Sequence, residues 1–151
     1  MFVQYFTHVP IGLGTVETRV DQIRADLEEW AGIAYREGEE LRAKVGPGFN
    51  GYAKTVRLDI GPPEIRPAGL VYPVTWIATG AEALFPRLSA DLILSHVGPD
   101  KTKLSLQGTY DPPLGPIGKA IDRLLLKNVA EATIQDWVDR VADAVSVSSV
   151  S

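Results

Sequence analysis

The chain has 151 residues, of which 45% are hydrophobic and 23% are charged, and its formal net charge is −4 at pH 7. Because the chain is acidic and has no Lys/Arg run, nucleic-acid binding is not expected. No stretch reaches the ~18 apolar residues needed to span a bilayer, so membrane insertion is not expected either. The sequence contains no cysteine, which excludes disulfides and a thiolate nucleophile, and a cytoplasmic location is the expectation. With His8 and His96 as its only imidazoles, the chain is expected to hold no zinc or other cofactor.

The first third of the chain predicts a strand followed by helix. Residues 2–9, "FVQYFTHV", are rich in aromatic and β-branched side chains, which is typical of a strand. After a break at 10–15, Thr15 is predicted to cap a helix. Apolar residues at spacings of three and four predict a helix of about five or six turns, either continuous or kinked or split. These residues are Val16, Val20, Ile23, Leu27, Trp30 and Ala34.

The middle of the chain predicts a series of strands. Alternating apolar residues and flanking Gly/Pro turns indicate strands at 39–46, 53–61, around Ile65, at 70–79, and twice between 87 and 111. A turn at Gly98-Pro99-Asp100 is predicted to join the last two. Because proline cannot donate to a strand ladder, Pro73 suggests that its strand lies at a sheet edge or contains a bulge.

The last third predicts one long helix over about 117–145. The preceding Gly118-Lys119 pair does not form a phosphate loop, because Ala120 stands where a hydroxyl is needed and Pro113 where the first glycine is needed. Without a linker or a repeat, the chain is predicted to be a single domain over 1–146 with a flexible tail at 147–151.

This order of elements predicts an α+β fold in which the long C-terminal helix covers the apolar face of an antiparallel sheet. Residues 104–145, "LSLQGTYDPPLGPIGKAIDRLLLKNVAEATIQDWVDRVADAV", resemble the last strand, Pro/Gly loop and long helix of bacterial START-like, birch-pollen-allergen-like (SRPBCC) proteins. The resemblance implies a helix-grip fold, a curved sheet wrapped around the C-terminal helix, with N-terminal helical segments after the first strand. Members of this superfamily bind lipids, sterols, hormones or polyketides, and some are polyketide cyclases.

A cavity between sheet and helix is the expected site, and its predicted lining is apolar and aromatic. An aromatic body with one polar tip suits such a wall, although plain core packing explains the same residues. The predicted ligand-binding residues are Tyr72, Trp76, Leu92, Leu94, Leu106, Tyr110 and Leu124. Tyr35, Arg66 and His96 are the candidate catalytic residues, with solvent exposure as the alternative for Arg66 and His96.

Three functions follow as hypotheses. The first is a binding protein for a small hydrophobic, lipid- or polyketide-like molecule, because no cluster of ionisable groups stands out in the sequence. The second is an enzyme of the polyketide cyclase/dehydrase type, which needs an acid or base inside the cavity. The third is an interaction domain that dimerises through the Leu124–Leu126 run, so the protein is expected to be a monomer or a homodimer.

Overall fold

The computed structural model describes residues 2–45, 56–78, 87–110 and 123–147, without the side chains of 38–45, 78 and 123–126. The described elements are β1 (Phe2–Val9), α1 (Leu13–Gln22), α2 (Arg24–Val45), β2 (Val56–Ile60), β3 (Glu64–Arg66), β4 (Gly69–Ala78), β5 (Arg87–Gly98), β6 (Lys101–Tyr110) and α3 (Arg123–Ser146). The strands form one antiparallel sheet in the order β1-β6-β5-β4-β2, and β3 also pairs with β4. This architecture confirms the predicted α+β helix-grip fold.

The N-terminal helical segment is split into α1 and α2 at Ile23. The N–H of Ile23 approaches both the Arg19 carbonyl (3.1 Å) and the Val20 carbonyl (3.2 Å), so the α-helical ladder ends there and α2 restarts at Arg24. The predicted cap at Thr15 is wrong. The helix already begins at Leu13, with Gly12 at the N-cap and no capping side chain, because Pro10 to Gly12 complete the turn earlier than expected.

The strand predicted at 39–46 is also wrong, because α2 runs through to Val45. Leu41, Ala43 and Val45 do alternate, but Glu, Leu, Arg, Ala and Lys supply most of this segment, and these residues have high helix propensity. Propensity therefore decides the conformation where a short alternation is ambiguous. The turn predicted at 46–51 lies outside the described residues.

The remaining strand predictions are confirmed for β1, β2, β3, β4 and the β5–β6 hairpin. The edge or bulge predicted from Pro73 is wrong, because β4 lies between β5 and β2 and its pairing with β5 has no register shift at Pro73. The Pro73 carbonyl accepts from the Gly61 N–H (2.8 Å), so the backbone nitrogen of Pro73 faces the same side. On that side of β4, β2 ends at Ile60 and β3 begins at Glu64, which leaves a gap between the two strands. Pro73 faces this gap, so its lack of a backbone N–H costs no hydrogen bond with a neighbouring strand.

Helices α2 and α3 cover one face of the sheet, the inner face. The core there includes Leu27 and Ala31 from α2 and Val138 and Val141 from α3, all fully buried. The C-terminal helix, predicted from about 117, is observed over Arg123–Ser146, and residues 111–122, including the Pro/Gly loop of the resemblance, lie outside the described part. None of the helices formed by the described residues is long and apolar enough to cross a membrane.

Side chains fasten the helices to the two outer strands of the sheet. The Tyr5 hydroxyl of β1 donates to Asp139 of α3 (2.8 Å). At the other edge, Glu28 of α2 accepts the backbone N–H of Leu58 in β2 (3.2 Å), and Arg24 donates to the Gly61 carbonyl (3.0 Å). The helices therefore hold the sheet by polar contacts at both edges and by apolar packing in the middle.

Candidate functional site

The inner face of the sheet carries the side chains that the sequence predicted as ligand-binding. Six of the seven residues are at most 2% exposed and belong to one core cluster: Tyr72, Trp76, Leu92, Leu94, Leu106 and Tyr110. They share the face because strand side chains alternate, and the register places Tyr72 opposite Leu92 and Leu92 opposite Leu106. The side chain of Leu124, the seventh residue, lies outside the described residues.

An aromatic cluster fills the space between this face and the helices. Trp76 lies 5.9 Å from Trp137 of α3 and 6.3 Å from Tyr35 of α2, measured between ring centroids. The indole N–H of Trp137 donates to the Leu27 carbonyl (3.1 Å), which ties α3 to α2. Tyr35 is fully buried in this cluster, so the described part of the helix–sheet interface is packed with aromatic side chains.

An open pocket of about 410 Å³ lies at one end of the sheet, between α1 and the β3–β4 hairpin. We call it the end pocket. Its volume is in the range of small-molecule sites. Five of its lining residues are apolar (Leu13, Ile65, Pro67, Ala68, Leu70), and the others are Glu17, Arg66, Gly69, Ser95 and His96.

The backbone geometry of the β3–β4 hairpin fixes one wall of the end pocket. Gly69 has a φ of +135°, and a Cβ there would lie 2.3 Å from the Leu94 carbonyl oxygen, so the tight turn requires glycine. The Ser95 hydroxyl donates to the Ala68 carbonyl (2.8 Å) and joins the turn to β5. These contacts make the wall a defined surface of the fold.

The opposite wall is positioned by a buried hydroxyl. Thr102 of β6 is fully buried and donates to the Ile11 carbonyl (2.7 Å), just before α1 begins. Because Leu13 and Glu17 lie in the first turns of α1, this bond sets their height above the end of the sheet. The pocket is thus bounded on both sides by hydrogen-bonded backbone.

Arg66 and His96, two of the candidate catalytic residues, come together in the end pocket, whereas Tyr35 does not line it. The Arg66 guanidinium donates to Glu64 (Nε to Oε2, 3.1 Å) and lies 3.8 Å from Asp91. The hydrogen bond to Glu64 raises the pKa of Arg66 further above its ordinary value, so this side chain stays a paired cation. His96 is exposed at the rim.

The Tyr72 hydroxyl is buried and has no hydrogen-bond partner in the described part of the structure. The Arg24 guanidinium lies over its ring, 5.8 Å from the centroid. Burial, followed by the negative charges of Asp21 and Glu17, raises the pKa of Tyr72 to about 12. The phenol is therefore a neutral hydrogen-bond donor at any physiological pH.

The outer face of the sheet has a second concave surface, which we call the outer groove. Its volume is about 470 Å³, and it runs across β4, β5 and β6 beside Phe2 of β1. Side chains with hydroxyl, amide or carboxylate groups form much of its wall, including Thr75, Ser89, Asp91, Gln107 and Thr109. It is more open and less apolar than the end pocket, so the end pocket is the better candidate for a hydrophobic ligand.

No protein-family model and no curated protein matches the chain in sequence. Solved structures match it over nearly its whole length. The Zhui aromatase/cyclase from Streptomyces sp. R1128 is 12% identical with a TM-score of 0.51, covering 97% of this chain and 91% of that chain. The fold is START-like. A conserved protein from Geobacillus kaustophilus (12% identity, TM-score 0.55, 95% and 93% coverage) and Ara h 8.0201 (15%, 0.50, 96% and 97%) match similarly.

Sequence reasoning on this START-like fold missed most of the end pocket. Leu13 and Glu17 lie beside the apolar stripe of the first helix, and only their spacing of four residues marked them as neighbours. Pro67 to Gly69 read as an irregular segment, which gives no direction for its side chains. Ile65 is 92% exposed at the hairpin. An exposed apolar residue beside a pocket indicates a binding surface, but its exposure is known only from the structure.

Proposed function

We propose that the protein binds a small hydrophobic molecule that enters through the end pocket. The observation that carries the proposal is the 410 Å³ pocket itself, with five apolar lining residues, of which Leu13 and Leu70 pack against the buried core. The START-like fold supports it, because this architecture combines a curved sheet with a covering helix and can leave space between them. A ligand that reached beneath α3 would have to displace the aromatic side chains packed there, and this displacement is part of the proposal.

The polar residues of the pocket are better suited to orient an uncharged ligand than to bind a charged one. Arg66 is already neutralised by Glu64 and Asp91, and Glu17 adds a negative charge from α1. A charged ligand group would have to displace these pairs, whereas an uncharged amphipathic molecule would not. The expected ligand is therefore uncharged and mostly apolar, of lipid- or polyketide-like character.

Titration with the neutral fluorophore N-phenyl-1-naphthylamine tests the proposal. We expect saturable binding with one site per chain, and an Ala68→Trp substitution at the pocket wall should weaken binding at least tenfold by occupying the opening. Ala132→Trp adds the same side chain at an exposed position of α3 and serves as the matched control. Absence of saturable binding, or equal losses in both variants, would refute the proposal.

A second candidate function is cyclase-type catalysis. Two observations favour it: Arg66 and His96 line one pocket, and the Zhui aromatase/cyclase shares the fold. His96 would act as the acid or base. A linear polyketone thioester should then disappear faster with the wild type than in buffer, and the acceleration should be lost in His96→Gln. No acceleration by the wild type would leave binding without catalysis.

A further inference from the structure

Among the described residues, the Tyr72 hydroxyl is a buried polar group that no other group satisfies. Tyr72 is fully buried, and its oxygen has no hydrogen-bond partner among the described residues. A buried hydroxyl without a partner is costly, and most buried polar side chains in folded proteins are paired. Phenylalanine would supply the same ring without the hydroxyl. The phenol therefore leaves a hydrogen-bond donor available for another molecule.

Two of the charged neighbours of Tyr72, Arg24 and Asp21, are held by other groups. Arg24, whose guanidinium lies over the ring, donates to the Gly61 carbonyl at 3.0 Å, and its Nε lies 3.9 Å from Asp21. A guanidinium is also a donor only, so it cannot accept the phenolic hydrogen. These contacts hold Arg24 in place over the Tyr72 ring, and the hydroxyl hydrogen of Tyr72 has no acceptor among the described residues.

Tyr72 lies next to the end pocket. Leu70, two residues earlier on the same face of β4, lines the pocket and is only half-buried. Glu17, which lines the pocket from α1, is close enough to influence Tyr72 electrostatically. Tyr72 itself is fully buried and does not line the pocket, so a ligand would reach its hydroxyl by displacing Leu70 from the core.

We propose that the Tyr72 hydroxyl donates a hydrogen bond to an oxygen acceptor, such as a ketone or ester carbonyl, on the buried end of the ligand. This inference rests on the proposed binding function and narrows its ligand class. Pure hydrocarbons would fit the same space but leave the phenol unsatisfied. Oxygen-bearing molecules such as polyketides, fatty esters or keto-sterols would be selected over them.

A pair of matched ligands tests the inference by competition with N-phenyl-1-naphthylamine. 2-Acetylnaphthalene and 2-isopropylnaphthalene have nearly the same shape, and only the first has a carbonyl. We expect the wild type to prefer the ketone, and Tyr72→Phe to weaken ketone binding roughly tenfold while hydrocarbon binding is unchanged. Tyr5→Phe also removes an inner-face hydroxyl, one that is already bonded to Asp139, and should keep the wild-type preference.

The infrared carbonyl band of bound 2-acetylnaphthalene gives a readout that does not depend on the variant folding. In the wild type the band should shift to lower wavenumber relative to the ketone in hexane, as expected for a hydrogen-bonded carbonyl. An unshifted band, or a ketone preference that survives Tyr72→Phe, would overturn the inference while leaving ligand binding intact. If neither naphthalene displaces the fluorophore although the fluorophore binds, the inference also fails; if the fluorophore does not bind, both proposals fail.

Discussion

Two tyrosine hydroxyls on the inner face of the sheet have opposite surroundings. Tyr5 donates to Asp139 at 2.8 Å, whereas the Tyr72 hydroxyl has no partner in the described structure. Their removal should therefore have opposite energetic consequences, because a lost hydrogen bond destabilises a protein while the loss of an unsatisfied buried hydroxyl relieves a penalty.

We predict that Tyr5→Phe lowers the free energy of unfolding by about 1 kcal/mol, and that Tyr72→Phe leaves it unchanged or raises it. Urea denaturation of the ligand-free protein measures both. Asp139→Asn keeps an acceptor for Tyr5 and should cost less than Tyr5→Phe. A loss of about 1 kcal/mol or more in Tyr72→Phe would mean that the hydroxyl is already satisfied in the free protein.

Alkaline pH should reveal the burial of Tyr72. Its pKa is raised to about 12 in the folded chain and returns to about 10 on unfolding. The unfolded state therefore releases this proton first, so the stabilising contribution is fully present below pH ~10 and is lost as the pH rises toward 12. We predict that stability falls more steeply between about pH 10 and 11.5 in the wild type than in Tyr72→Phe. If stability falls equally with pH in the two proteins, the pKa of Tyr72 is not raised in the folded chain.

At the scale of single elements, the strands could be predicted from the sequence where alternation was sustained and flanked by breakers. β1, β2 and the β5–β6 hairpin follow this rule. The segment 39–45 has only three alternating apolar residues among strong helix formers, and helix α2 continued through it. The central position of Pro73 could not be predicted, because it depends on the gap between β2 and β3, a property of strand pairing and not of local sequence.

The β3–β4 turn offers a prediction about one element. Gly69→Ala should lower the free energy of unfolding by about 2–3 kcal/mol, because its φ of +135° and the nearby Leu94 carbonyl exclude a Cβ. Gly32→Ala is the control. That glycine lies within α2, where a Cβ would meet no atom within 4 Å, so alanine should stabilise by about 0.5–1 kcal/mol. Thermal or urea unfolding compares the two. Similar effects of both changes would contradict the turn geometry.

At the scale of the whole molecule, the resemblance of residues 104–145 predicted the correct architecture, and the inner-face alternation predicted which side chains lie beneath the helices. The end pocket could not be predicted from the sequence. It forms where α1, the β3–β4 hairpin and the end of β5 come together, and the periodicity of one segment does not predict its contacts with two others. Arg66 and His96 were predicted as separate candidates, and only the tertiary fold shows that they share one surface.

The contact between Glu28 and the β2 backbone has a consequence for how the protein behaves at high concentration. An uncovered border strand can recruit a strand from another molecule, which leads to aggregation. Here the carboxylate of Glu28 occupies the outward N–H of Leu58 at the middle of that strand, and Arg24 occupies the Gly61 carbonyl just beyond its end. Helix side chains thus occupy two of the backbone groups that an added strand would need, and this contact opposes pairing between molecules at that border.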